Sequence, residues 1–162
     1  MATARQRLLK EYKEAARAAA QPGGDAGTGV TLVPDESNLF RWRALLKGPH
    51  DTPYQGGTFE LDITVPEAYP LVPPQVRCRT RLFHPNFHFK TGEICLDVLK
   101  GAWSPAWTLR SCCQAILALL ADPAADSPLN CDAGNLLRAG DVRGFNSMAR
   151  MYSIEYAGAP AP

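Results

Sequence analysis

The chain has 162 residues, a formal net charge of +1 and 46% hydrophobic residues. The length and hydrophobic content are sufficient for one domain with its own core, which we predict to span residues 1–162. The near-neutral charge argues against an electrostatic nucleic-acid binder. The charged N-terminus and the short apolar runs argue against a secretory signal or a membrane span, so we expect a soluble protein of the cytosol or nucleus.

The first predicted element is an amphipathic helix at residues 5–20. Apolar residues recur on one side at helical spacing, and charged residues lie mostly opposite. A Pro-Gly-Gly turn at residues 22–24 ends the helix. The predicted buried face comprises Leu8, Leu9, Tyr12 and Ala16.

Four strand-like segments follow the helix. In the third of them, Phe59, Leu61 and Ile63 alternate with polar residues, which is typical of a strand with one buried face. Turns rich in Gly, Pro and Asp separate the segments and indicate an antiparallel meander. The predicted strands lie at residues 30–33, 40–46, 58–65 and 75–79.

A proline-rich stretch at residues 69–74 and a segment without regular periodicity at residues 82–104 come next. Proline removes backbone donors, so the first stretch cannot lie inside a strand or a helix. The second is too apolar to be disordered, and long ordered loops in compact domains are usually functional. We therefore predict that residues 82–104 form a packed functional loop.

The last third of the chain is predicted to be helical. Thr108 is a predicted N-cap for an apolar, and therefore central and buried, helix at residues 109–121. Shorter helices are predicted at residues 132–138 and 142–156. Together with the strands, these elements predict an α+β fold.

The five cysteines show no CxxC pair or other zinc-ligand spacing, so no metal site is predicted. An odd number of cysteines without a secretory signal indicates reduced thiols. Cys112 and Cys113 lie on the apolar helix, where buried structural thiols are expected.

Cys95 lies in the predicted functional loop, nine residues after Asn86 and eleven after His84. A cysteine nucleophile needs access and a donor for the oxyanion that forms during acyl transfer, and the Asn86 amide is such a donor. A papain-like enzyme would also need a histidine base, for which His84 and His88 are candidates, but no papain-like local signature surrounds Cys95. Spacing alone leaves these alternatives open.

Four motifs in this region make the chain resemble the ubiquitin-conjugating enzyme family. The resemblance covers about residues 5–156 and implies that family's fold: an N-terminal helix, a four-stranded antiparallel meander, an active-site loop, a central helix and C-terminal helices. It also implies that Cys95 accepts ubiquitin as a thioester and passes it on. The motifs are Tyr69-Pro-x-x-Pro-Pro74, His84-Pro85-Asn86, Gly92-x-Ile94-Cys95-Leu96-Asp97 and Trp103-Ser104-Pro105-Ala106.

The resemblance also implies partners and site residues. ATP is consumed by the upstream activating enzyme, so no cofactor is expected on this chain. The activating enzyme is expected to bind Arg5, Arg7, Lys10 and Lys13. A RING-type ligase is expected to bind Val65, Ser104, Pro105 and Trp107. Besides Asn86, which has an oxyanion role, a structural role or both, the active site is expected to be supported by His84, Asp97, Asp126 and Ser127.

Two of these positions depart from many members of the family. Ser127 stands where lysine-directed members carry an Asp, and we hypothesise that it is tolerated because the acceptor is a cysteine, whose thiol loses its proton more readily than a lysine. Val65 stands where many members carry Phe. The smaller side chain either compensates for the larger Trp107 and alters ligase choice, or is simple repacking.

The segments at residues 88–95, 126–138 and 140–146 resemble the peroxisomal branch of the family, the conjugating peroxins. That resemblance implies a membrane-anchored peroxin partner, the peroxisomal import receptor as substrate for its recycling, and location on the cytosolic face of the peroxisome. The alternatives are a general conjugating enzyme without a peroxisomal role, loading with another ubiquitin-like protein, and a non-catalytic ubiquitin-binding variant.

Overall fold

The residues that the structure describes form four helices and a four-stranded sheet in the predicted order. The computed structural model describes residues 3–25 and 27–162; residues 1, 2 and 26, which the predicted domain span includes, lie outside the described residues. The elements are α1 (Ala4–Ala20), β1 (Val30–Asp35), β2 (Asn38–Lys47), β3 (Thr58–Thr64), β4 (Gln75–Cys78), a short 3₁₀ helix (Asp97–Leu99), α2 (Leu109–Ala121), α3 (Cys131–Arg138) and α4 (Val142–Ala157). The predicted α+β fold is confirmed.

The sheet is an antiparallel meander in the order β1-β2-β3-β4. Phe59, Leu61 and Ile63 of β3 are buried, whereas the residues between them are partly exposed, as the alternation predicts. In the sheet Leu61 lies opposite Ala44 of β2 and Cys78 of β4, which places three buried side chains in one row across the inner face. This face forms one side of the hydrophobic core.

Helices α1 and α2 pack against β1 and β2. The predicted N-cap of α2 is confirmed: the Thr108 hydroxyl accepts from Ser111 N–H (3.0 Å) and the Ser111 hydroxyl accepts from Thr108 N–H (2.8 Å). The buried residues of α2 are Leu109, Cys112, Cys113, Ile116 and Leu120. In the described part of the chain, no helix is both long enough and apolar enough to cross a bilayer.

The predicted buried face of α1 is partly wrong. Leu9 is 43% exposed and Ala16 is also exposed. The residues buried on α1 are Ala4, Leu8, Glu11 and Ala15. A charged residue lies in the centre of this face because its carboxylate has hydrogen-bond donors inside the protein, a situation that apolar periodicity does not detect.

The loop that carries Cys95 is attached to the edge strand β4 through Gly92. The Gly92 carbonyl accepts from Cys78 N–H (2.9 Å), and Gly92 has a left-handed φ of 75°. A Cβ added at Gly92 would overlap the Cys78 carbonyl oxygen. Glycine is therefore required here both by its backbone conformation and by the close approach of β4.

We expect Gly92→Ala to destabilise the protein more than Gly140→Ala. Gly140 has a similar φ of 78°, but a Cβ there has no neighbouring atom within 4 Å. The control therefore measures the conformational cost alone, roughly 1–2 kcal/mol. Overlap with β4 should lower the free energy of unfolding by about 2 kcal/mol more in Gly92→Ala, as measured by urea unfolding. Equal losses in the two variants would contradict this description of the loop.

Candidate active site

Cys95 lies between two ordered pieces of the active-site loop. Immediately before it, Ile94 pairs with Phe87 in an antiparallel bridge, and two residues after it the 3₁₀ helix begins at Asp97. The Cys95 N–H donates to the Asn86 carbonyl oxygen (2.9 Å). The backbone on which the thiol is mounted is therefore held in place by its own loop.

The five thiols differ in accessibility, and all are free. Cys78, Cys112 and Cys113 are buried, as predicted for the last two. Burial raises the pKa of Cys78 and of Cys112 to about 12 each, and raises the pKa of Cys113 further. These three thiols stay protonated near neutral pH and are poor nucleophiles. Cys95 is half-buried and Cys131 is exposed, so these two are the accessible thiols.

Asn86 is 3% exposed, and its side-chain amide is paired with the backbone of Ala124. Its Nδ2 donates to the Ala124 carbonyl (2.9 Å), and its Oδ1 accepts from the Ala124 N–H (2.9 Å). The neighbouring Pro85 carbonyl accepts from Leu129 N–H (2.8 Å) and Asn130 N–H (3.2 Å). The active-site loop is thus joined to the segment 122–130, which connects α2 to α3.

The same geometry leaves one hydrogen of the Asn86 side-chain amide free to donate. An amide nitrogen carries two hydrogens, and in the described residues only one of those on Nδ2 has an acceptor, the Ala124 carbonyl. The structural role expected for Asn86 is present in the structure, and it does not use up the donor that the oxyanion role would require. The two expected roles are therefore compatible in one side chain.

His84 is fully buried and serves as a structural residue. Its Nδ1 accepts from the Asn86 N–H (3.1 Å), so the proton is on Nε2, which donates to the Leu119 carbonyl (2.8 Å). Burial lowers the His84 pKa to about 4, which keeps the ring neutral near pH 7. His88 Nδ1 accepts from the backbone of Lys90 and Thr91. His84 does not support the papain-like alternative, because the ring is buried and both of its nitrogens are engaged.

The remaining supporting residues are exposed and lie in the two joined segments. Asp97 is the exposed first residue of the 3₁₀ helix. Asp126 and Ser127 are exposed in the segment 122–130, between the anchor points at Ala124 and Leu129. Ser127 has a left-handed φ of 52°, a conformation that Asn and Asp tolerate better than most residues.

Some of the residues expected to bind partner proteins are exposed, and others are buried or point inward. Arg5, Lys10 and Lys13 are exposed on α1, and Ser104 and Pro105 are exposed before α2. Val65 is only 4% exposed, and the Arg7 guanidinium points inward to a buried carboxylate. The expectation that Val65 itself contacts a ligase is therefore wrong, because its side chain is buried in the core, whereas Trp107 is half-buried.

Two contributors to this region were not predicted from the sequence. Ala124 acts through its backbone, which leaves no trace in residue identity. Glu11 is a buried carboxylate. Its burial could have been predicted from its spacing, because residues three and four positions apart, here Leu8 and Ala15, share its helix face. That spacing places Glu11 among the buried residues of α1.

Comparison with known proteins agrees with the fold and the motifs. A sequence profile described as ubiquitin-conjugating enzyme matches residues 7–153. The chain is 63% identical over 153 residues to PEROXIN-4 of Arabidopsis thaliana, with 94% of each chain covered. It is 57% identical over 151 residues to the ubiquitin-conjugating enzyme E2 pex4 of Dictyostelium discoideum, covering 93% of this chain and 97% of that protein.

A solved structure of a ubiquitin-conjugating enzyme has the same fold as this chain. The chain is similar to the ubiquitin-conjugating enzyme Pex4p of H. polymorpha, which was crystallised in complex with the soluble domain of Pex22p. The TM-score is 0.91 and the sequence identity 37%, over 96% of this chain and 99% of that chain. The chain therefore belongs to the ubiquitin-conjugating enzyme family of transferases and is of the peroxin-4 type.

Proposed function

We propose that this enzyme accepts ubiquitin from an activating enzyme as a thioester on Cys95 and transfers it to a substrate. The observation that carries the proposal is the position of Cys95: a half-buried thiol on a loop whose backbone is held by Asn86. Three of the other thiols are buried and stay protonated. The remaining accessible thiol, Cys131, begins α3 and lies outside the family motif.

The proposed reaction is two acyl transfers. First, the Cys95 sulfur attacks the carbonyl of the ubiquitin thioester on the activating enzyme, whose own thiol leaves as the new carbon–sulfur bond forms. Then a substrate nucleophile attacks the same carbonyl, and the Cys95 sulfur leaves. Because a thiolate is a good leaving group, the protein has mainly to position the reactants and stabilise the oxyanion.

Asn86 is the proposed oxyanion donor, using the amide hydrogen that Ala124 does not take. An oxyanion-hole donor acts best when it is already oriented before the charge develops. The pair of hydrogen bonds to Ala124 supplies this orientation. His84 supports the arrangement by accepting from the Asn86 backbone rather than by exchanging protons with the substrate.

The partners proposed for the chain follow from its family and its relatives. Enzymes of this family work with ubiquitin, an activating enzyme and ligases. The similarity to a Pex4p that was solved with the soluble domain of Pex22p supports a membrane-anchored peroxin as a further partner. We accordingly propose RING-type peroxisomal ligases, the import receptor as substrate, and a location on the cytosolic face of the peroxisomal membrane.

Loading of ubiquitin should depend on Cys95 and not on Cys131. With activating enzyme, ATP and ubiquitin, the wild type and Cys131→Ala should both form an adduct that a thiol reductant removes, because the accepting thiol is intact in both. Cys95→Ala should form none. Non-reducing gel electrophoresis measures the adduct. An adduct on Cys95→Ala, or its loss in Cys131→Ala, would exclude Cys95 as the acceptor.

The loaded wild type should discharge faster onto free cysteine than onto free lysine at equal concentration and pH 7. A thiol, with a pKa of about 8.5, loses its proton more readily than a lysine ammonium, with a pKa of about 10.4, so it needs less help from the enzyme. Ser127→Asp should increase discharge onto lysine by roughly 10-fold or more through proton acceptance. Discharge onto cysteine should change little.

Ser127→Asn is the matched control, because Asn has the shape of Asp without its charge and also tolerates the left-handed backbone of position 127. It should discharge onto lysine as slowly as the wild type. The hypothesis about Ser127 fails if the wild type already prefers lysine, or if the Asn variant accelerates lysine discharge as much as the Asp variant.

A further inference from the structure

A buried carboxylate joins three parts of the protein beneath the predicted ligase surface. Glu11 of α1 is 5% exposed. Its Oε1 accepts from the backbone N–H of Leu109, the first residue of α2 (2.7 Å), and its Oε2 accepts from the Tyr69 hydroxyl of the proline-rich segment (2.6 Å). A carboxylate at the N-terminus of a helix is also favoured by the helix dipole. Burial and the neighbouring Glu11 raise the pKa of Tyr69, so its hydroxyl remains a donor.

Glu11 in turn orients Arg7, one helical turn earlier. The Arg7 Nε lies 3.2 Å from Glu11 Oε2, and the guanidinium lies over the Tyr69 ring, 5.6 Å from its centroid. The side chain of Arg7 is 19% exposed. The guanidinium is thus held on one edge by the carboxylate and on one face by the ring, which leaves its outer nitrogens pointing in a defined direction.

Those outer nitrogens bind the backbone of the segment before α2. Arg7 Nη1 donates to the Pro105 carbonyl (3.0 Å) and Nη2 donates to the Trp107 carbonyl (2.6 Å). Both acceptors belong to residues 104–107, in which Ser104, Pro105 and Ala106 are exposed. Arg7 therefore fixes two carbonyls of an otherwise exposed turn from its inner side.

The other hydrogen bonds that the described residues make in this region hold the two ends of the turn. The Trp103 indole donates to the Pro70 carbonyl (2.8 Å) on one side, and Leu109 is held by Glu11 on the other. Between them, one backbone bond from Trp107 N–H to the Ser104 carbonyl (3.1 Å) closes the turn. Among the described residues, the hydrogen bonds that join residues 104–107 to another part of the protein are the two from Arg7.

We propose that Arg7 is a positioning residue that holds residues 104–107 in their ligase-binding conformation, and that it is not a contact for the activating enzyme. This inference rests on the proposed function, in which residues 104–107 bind a RING-type ligase. It separates Arg7 from Arg5, Lys10 and Lys13, which are exposed on the same helix. Lysine cannot replace it, because one ammonium cannot reproduce the fork that spans Glu11 and two carbonyls.

The test compares Arg7→Lys with Arg17→Lys, which makes the same exchange at an exposed position of α1. A purified RING domain that accelerates discharge of the loaded wild type is titrated against each protein. If the segment of Arg7→Lys spends about a tenth of its time in the binding conformation, the half-maximal RING concentration rises about 10-fold. Loading by the activating enzyme and the maximal discharge rate should stay unchanged, and Arg17→Lys should match the wild type.

An unchanged RING titration for Arg7→Lys would overturn the proposal. Slower loading with an unchanged titration would do so as well, and would return Arg7 to the activating-enzyme surface. A merely structural role would lower loading and discharge together without shifting the half-maximal concentration, and would equally overturn it.

A second measurement needs neither a variant nor activity. In the wild type, NMR of the arginine side chains should show slow exchange of the Arg7 Nε–H and hindered rotation of its guanidinium, whereas Arg17 exchanges and rotates freely. A freely rotating Arg7 guanidinium would overturn the proposal even if Arg7→Lys did not fold. Failure of the wild type to load ubiquitin would instead refute the proposed function and with it the ligase role. Hindered rotation of the Arg7 guanidinium would in that case still support the positioning geometry.

Discussion

The candidate active site depends on one reciprocal pair of hydrogen bonds between the Asn86 side chain and the backbone of Ala124. Both partners lie in irregular segments, which have no ladder of backbone bonds to hold them. A buried amide that satisfies a donor and an acceptor of the other segment replaces such a ladder and avoids leaving buried polar groups unpaired. The Pro85 carbonyl strengthens the junction through Leu129 and Asn130. Cys95 is placed by this junction, because its N–H bonds the carbonyl of the same Asn86.

Burial in the core suppresses competing chemistry at three other thiols and at His84. The core buries Cys78, Cys112 and Cys113, and loss of hydration raises the pKa of each thiol until the nucleophilic form is rare. The same burial keeps His84 neutral and makes it a hydrogen-bonding part of the scaffold. In the proposed reaction the acyl group is offered to an incoming nucleophile without a strong base, and we accordingly propose that Ser127 and the ligase influence the choice of acceptor.

The secondary structure was predictable because its signals are local. The alternation of Phe59, Leu61 and Ile63 and the cap at Thr108 each arise from neighbours in sequence, and both appear as predicted. The buried face of α1 was predicted only in part. Leu8 is buried as predicted, but the burial of Glu11 depends on donors from Tyr69 and Leu109, which lie 58 and 98 residues away.

The candidate site was less predictable from spacing than the fold. Spacing left a papain-like enzyme open, and the family motifs around Cys95 were needed to choose between the alternatives. The partner of Asn86 could not be read from residue identity, since Ala124 contributes only its backbone. The inward direction of Arg7 is likewise a tertiary property, set by a carboxylate and two carbonyls that meet only in the folded chain.

If the proposed function is correct, this fold presents one thiol, Cys95, to ubiquitin. Peptide mapping of the wild-type adduct, digested at acidic pH where thioesters survive, tests it most directly. The C-terminus of ubiquitin should be attached to the peptide that contains Cys95, through a bond that hydroxylamine cleaves. Attachment to Cys131, or an amide bond to a lysine in the absence of any thioester, would contradict it.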